Sequence, residues 1–211
     1  MKKESQVIFD KNVIEFVTVA AEFCAFLERA ESMKRSTFVD TTLKILPLLY
    51  LKASMLPKCE MIGDESPETY VTEEIYEVLR INLASILAEK DDYLEVFLPD
   101  MAYSDEPIKK NISEDLADIY QDIKDFIFVF QLELNETMND SLAICQENFG
   151  LLWGQKLVNT MRALHDVKYS PKARGEDEEE EEYEPENNGD CHCEDDDCHC
   201  HDHGCHCHDD E

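Results

Sequence analysis

Cys191-His192-Cys193, Cys198-His199-Cys200 and Cys205-His206-Cys207 recur at a period of seven, with His201, His203 and His208 added and acidic residues between them. Twelve of the last 21 residues are Cys or His, a bias that marks metal ligation. In an extended backbone residues i and i+2 point to the same side, so the two sulfurs of each Cys-His-Cys can grip one ion while the central His points elsewhere. Two thiolates and two imidazoles make a tetrahedral site. Six Cys and six His supply up to three such sites, and shared ligands or Cys-only clusters are equally open. Thiolate and imidazole select Zn²⁺, Ni²⁺, Cu⁺ or Cd²⁺ over Mg²⁺ and Ca²⁺, and the neighbouring carboxylates raise the local cation concentration. Nothing apolar surrounds these ligands, so they form neither a zinc finger with its own core nor an open-coordination catalytic pocket.

The charge points the same way. The chain of 211 residues carries a formal net charge of −30. Residues 175–211 hold 18 acidic residues and no Lys or Arg, which leaves 31 acidic against 19 basic residues, or −12, over residues 1–174. Such a protein is repelled by nucleic acid and by anionic lipid, so neither is an expected partner; cations are. The start of the chain has no uninterrupted apolar segment leading to a cleavage site, and no apolar run reaches the roughly 18 residues of a membrane helix. A soluble, cytoplasmic protein is expected, in which the six of its nine cysteines that lie in the tail serve ligation rather than disulfides.

The body offers weaker candidates. Asp115, Asp118, Asp122 and Asp125, spaced by three, four and three, fall within about 80° of one helical face. Such a row can hold a hard cation, but beside Ile119, Ile123 and Phe126 it reads as a solvated acidic stripe. Glu15 and Glu22, a heptad apart on a helix rich in Phe and Val, invite a desolvated carboxylate with a raised pKa; sharing their stripe with Thr18 and Arg29, they read instead as a surface strip. His165 is preceded by Arg162 and Met161 at helical spacing, so no Glu-x-x-His pair exists to build a bundle metal centre, and the residue reads as a helix-end or packing histidine. Trp153, Phe149, Phe126, Phe128 and Phe130 read as core, and Cys24 and Cys145 as small hydrophobes. No phosphate-binding glycine loop, nucleophile elbow or zincin motif is present, and the body is read as non-enzymatic.

The elements that would position these residues are helices. Apolar residues recur at three and four over Asn12–Ala30, from the N-cap candidate Ser36 to about Met55 with Pro47 expected to kink the run, over Thr69–Lys90, from Ser113 to Phe130, and from Glu136 to about Val167. Leu94–Leu98 is expected to add a short turn before Pro99. Strand signals are nearly absent, so the expected fold is all-α: five helices in an up-and-down bundle with kinked members over residues 1–168, an acidic disordered linker over 169–190, and the Cys/His tail over 191–211. In the last helix Gly150 and Gly154 are expected to admit a close neighbouring helix.

The run Asn148-Phe149-Gly150-Leu151-Leu152-Trp153-Gly154-Gln155-Lys156-Leu157-Val158-Asn159-Thr160-Met161-Arg162-Ala163-Leu164-His165 resembles an uncharacterised family of all-helical bacterial proteins known only as a domain of unknown function. The likeness includes residues 115–122, 15–20 and 43–50, spanning roughly residues 7–167. It implies a helical cytoplasmic domain, transfers no catalytic residue, and leaves the tail outside. In composition the tail resembles the Cys/His-rich extensions of bacterial nickel- and zinc-handling proteins, which implies storage, buffering or delivery. Two functions are therefore expected of the chain: a metal-handling factor whose helical domain docks a protein partner, or a helical interaction module whose tail is an incidental metal buffer.

Overall fold

The computed structural model describes residues 6–95 and 108–170, which form a helical body. Asp10 opens α1 (Lys11–Glu28) by accepting the Asn12 N–H at 2.8 Å, and Val13, Phe16, Ala20, Phe23, Cys24 and Leu27 are buried along one side. The second helix, α2 (Arg35–Ser54), begins one residue before Ser36, so Ser36 is not the cap: Lys34 holds that position and its side chain makes no capping hydrogen bond. Pro47 lies within α2 on its exposed face, and the helix continues through it.

The third helix, α3 (Glu73–Leu87), starts four residues later than the periodicity suggests. Thr72 caps it through Ile75 N, while the N–H groups of Tyr70 and Val71 are taken by Asp125 on another helix, at 2.7 and 2.8 Å. A side chain distant in sequence thus keeps those two residues out of the helix.

After α3 a short strand pair joins the all-α body. Asp92–Leu94 is a strand, β1, paired antiparallel with β2 (Lys109–Asn111) in the register Asp92↔Asn111, Tyr93↔Lys110 and Leu94↔Lys109, so Leu94 belongs to the ribbon, and residues 96–98 of the expected turn lie outside the described residues. This ribbon leads into α4 (Ile112–Phe130), α5 (Asn135–Asn148), a π turn (Phe149–Trp153) and α6 (Gly154–Tyr169). With the π turn bridging α5 and α6, the last segment matches the single long helix expected from Glu136, and the body has five helical runs. Its core is all-α, with the ribbon as an addition.

Ser113 was the expected start of α4; the helix starts at Ile112, and its cap comes from a distance. Asp91, buried before β1, accepts Ser113 N and Ser113 Oγ at 2.7 Å each, while its carbonyl accepts Ile112 N at 2.9 Å. Helix-start N–H groups left without such an acceptor are costly when buried. Asp91→Ala is expected to destabilise the body by about 2 kcal/mol, measured by urea unfolding.

α4 is the hub: Leu116, Ile119, Ile123, Phe126 and Ile127 are buried among α1, α3, α5 and α6, and the rings of Phe16 and Phe126 lie 5.5 Å apart. α2 packs on α1 and α6. Between α2 and α3 runs a connection over residues 55–72, longer than bundle loops commonly are. Its backbone is tied down by α5, where buried Asp140 accepts Ile62 N at 2.6 Å and Gly63 N at 2.8 Å, Asn139 Nδ2 donates to Glu60 O, and Gln146 contacts Leu56, Pro57 and Cys59. Gly63 is required for this approach, because a Cβ there would lie 2.7 Å from Asp140 Oδ2.

Candidate functional site

The pinned connection forms one wall of a cleft of about 480 Å³. Ser66, Pro67, Glu68 and Thr69 face Asp118, Gln121, Asp122 and Asp125 of α4, while Ser141, Ile144, Cys145 and Asn148 of α5, Leu152 and Trp153 of the π turn and Lys156 of α6 complete it. A π turn widens the helical backbone by one residue and often lies at functional sites. Here it is accommodated by Gly154, where a Cβ would stand 2.3 Å from Phe149 O; Gly150 faces open space. The two glycines therefore do not admit a neighbouring helix: one serves the turn and the other touches nothing.

The aspartate row of α4 is not a solvated stripe. Asp115 is buried and accepts the hydroxyl of Tyr93 from the ribbon. Asp118 accepts Tyr76 Oη at 2.8 Å and forms an ion pair with Lys156. Asp122 accepts Asn148 Nδ2 at 2.6 Å, and Asp125 anchors Tyr70 and Val71. One helical face thus holds five other segments, and the row divides: Asp115 serves the ribbon, while Asp118, Asp122 and Asp125 line the cleft. Burial raises the pKa of Asp115, Asp122 and Asp125 above the ordinary carboxylate value, and for Asp122 the charges of Asp125 and Asp118 add to that rise. A carboxyl with a raised folded pKa stabilises the fold most below its unfolded pKa, and that contribution is lost as pH rises through the folded value. Above the folded value the ionised form of each group opposes folding.

The other body candidates fall into place. Glu15 is held below, not above, the usual carboxylate range, chiefly by its hydrogen bond from Lys52 of α2 at 2.6 Å; it faces a sister helix, and Glu22 is exposed. His165 is exposed, with its ring 4.6 Å from that of Tyr169. Cys24 and Cys145 are buried free thiols, Cys24 pushed up to about 12 by burial and Cys145 raised by the same cause. Trp153 is fully buried and donates Nε1–H to Cys145 O at 3.1 Å. Among the described residues no group of three or more His, Cys, Asp and Glu is placed to hold a metal ion. Cys191, His192, Cys193, Cys198, His199, Cys200, His201, His203, Cys205, His206, Cys207 and His208 lie outside the described residues.

Residues 7–170, about three quarters of the chain, match the domain of unknown function DUF5063. The chain belongs to the DUF5063 family. No curated protein matches it. A crystal structure of protein BF1032 from Bacteroides fragilis, determined by a structural genomics consortium, is 92% identical with a TM-score of 0.73, over 80% of this chain and 99% of that one. The DUF5063 body accordingly includes the cleft, the ribbon and the π turn, and ends before the Cys/His repeat. No helix of the described body is long and apolar enough to cross a membrane.

The sequence reading missed the cleft because one of its walls is loop. Ser66–Thr69 carry no periodic signal; the legible sign was polar residues, Asn139, Asp140 and Gln146, at helical positions turned inward. Buried polar groups must find partners, and here the partners are loop amides and carbonyls.

Proposed function

We propose that the protein handles soft or borderline metal ions in the cytoplasm, binding rather than catalysing, with the Cys/His tail as ligand set and the DUF5063 body as docking domain. The observation that carries this reading is the Cys-His-Cys repeat at period seven, which supplies six thiolates and six imidazoles within 18 residues, from Cys191 to His208. Zn²⁺ or Ni²⁺, or Cu⁺, fits that ligand chemistry. The spacing pairs the sulfurs of each Cys-His-Cys and leaves the imidazoles free to combine with any pair.

Ligation requires thiolate and neutral imidazole, whose ordinary pKa values are about 8.5 and 6.5. Metal affinity is therefore expected to fall steeply below about pH 6, checked by equilibrium dialysis of Zn²⁺ against protein made without an affinity tag. Affinity unchanged down to pH 5 would assign the ion to carboxylates.

One observation favours a second reading. The family match ends at residue 170, so the tail lies outside the part of the chain that the family model describes. On that reading the body is an interaction module and the tail an incidental buffer. The two readings part on whether a body-binding partner changes the metal content of the tail.

A further inference from the structure

The cleft holds negative charge that the described protein does not neutralise. Of its aspartates only Asp118 is matched by a cation, Lys156. Asp122 receives one donor, Asn148 Nδ2, and Asp125 only the two backbone N–H groups of the loop. An acidic row on an open surface would be satisfied by hydrated ions. This one lies in a concavity with Phe126 and Val129 in its lining and Leu152 at its rim, and its volume of about 480 Å³ falls in the range of small-ligand sites. Among the described residues no group of three or more His, Cys, Asp and Glu is placed to hold a metal ion there. The tail, with its 18 acidic residues from 175 onward, is repelled.

We propose that the cleft binds an organic cation with an apolar stem, a guanidinium or alkylammonium group. The stem lies along Phe126 and Leu152, and the charged head lies at Asp122 and Asp125. Guanidinium matches carboxylates through its fork of N–H donors and tolerates apolar walls, being weakly hydrated. The same chemistry is offered by a free amine or by an Arg or Lys side chain of a protein partner. The inference rests on the docking role proposed above but not on the metal of the tail.

Trp153 is the only tryptophan and lies in the cleft wall, so its emission reports occupancy. The test is titration of the full chain, in excess chelator, with agmatine. A saturable emission change with a midpoint below about 1 mM is expected, and 1-pentanol at the same concentration should leave emission unchanged. Asp122→Asn should weaken agmatine tenfold or more without lowering the unfolding temperature, because the substitution removes a charge that burial opposes. Leu152→Lys, at an exposed position on the rim, should abolish the change by supplying the cation from within. In a second arm N-acetyl-arginine amide replaces agmatine: equal binding assigns the site to a side chain of a partner, and binding at least tenfold weaker assigns it to a free amine. No saturable change, an equal response to 1-pentanol, or unchanged binding in either variant overturns the proposal. Because chelator is present throughout, failure here leaves the metal reading intact, and an empty tail leaves this titration unaffected.

Discussion

A chain ending at residue 189 is expected to lose nearly all of the Zn²⁺ or Ni²⁺ bound by the full-length protein, falling from more than one ion per chain to near zero. The ligands of the proposed site all lie beyond that point, and the described body offers no group of three metal-binding side chains to replace them. Elemental analysis of both proteins, purified without an affinity tag, decides it. If the shortened protein kept most of its metal, the ion would belong to the body and the tail reading would fall. A third protein, ending at residue 170, reports on stability. The family match ends at residue 170, and the residues beyond it are rich in charge with little apolar surface to pack. Thermal unfolding in chelator is therefore expected to be the same for the chain ending at residue 170 and the full chain.

Trp153→Ala is expected to cost about 3–5 kcal/mol, a large share of the roughly 5–15 kcal/mol that holds a domain together. Trp153 is the largest side chain sealed from solvent among the described residues, its ring lies tilted against that of Phe149 with centroids 4.7 Å apart, and its Nε1–H donates to the Cys145 carbonyl, which also accepts the Phe149 N–H. Truncation would remove the ring and one of these hydrogen bonds and open a cavity beside the cleft. Urea unfolding measures the loss. Trp153→Phe keeps most of the burial and is expected to cost only the hydrogen bond and a small void, about 1–2 kcal/mol. A Trp153→Ala protein as stable as the parent, or wild-type emission at the wavelength of a water-exposed indole, would contradict the core placement.

Most of the helical body was legible because burial imposes periodicity. In α1 the buried set follows the apolar residues at three and four, and the same holds for α4 from Leu116 to Ile127. Trp153 and the two buried cysteines were legible for the same reason, as large or soft apolar side chains on inward faces. Helix starts were less so. Ser36 and Ser113 have the residue type of a cap, yet neither is one, because α2 begins without a side-chain cap and α4 borrows Asp91 from before the ribbon. The start of α3 moved for a related reason: Asp125 takes the amides of Tyr70 and Val71, and a local pattern cannot register an acceptor that arrives from another helix.

The ribbon and the cleft lay further out of reach. β1 and β2 pair across a stretch of sequence and are only three residues each, too short to show alternation; their place is held by Asp91, by Tyr93 on Asp115 and by Glu95, which accepts Asn159 Nδ2 at 3.0 Å. The aspartate row was visible as spacing, but its character was not, since exposure depends on what covers a face and that covering comes from α3, α5, α6 and the 55–72 connection. By itself the amino-acid sequence determined the helical periodicity, the apolar core and the Cys/His repeat of the tail, because side-chain type and spacing suffice for each. Only the tertiary structure decided which carboxylates are buried, which amides they hold and where a cleft opens, because these depend on groups far apart in the chain meeting at hydrogen-bond distance.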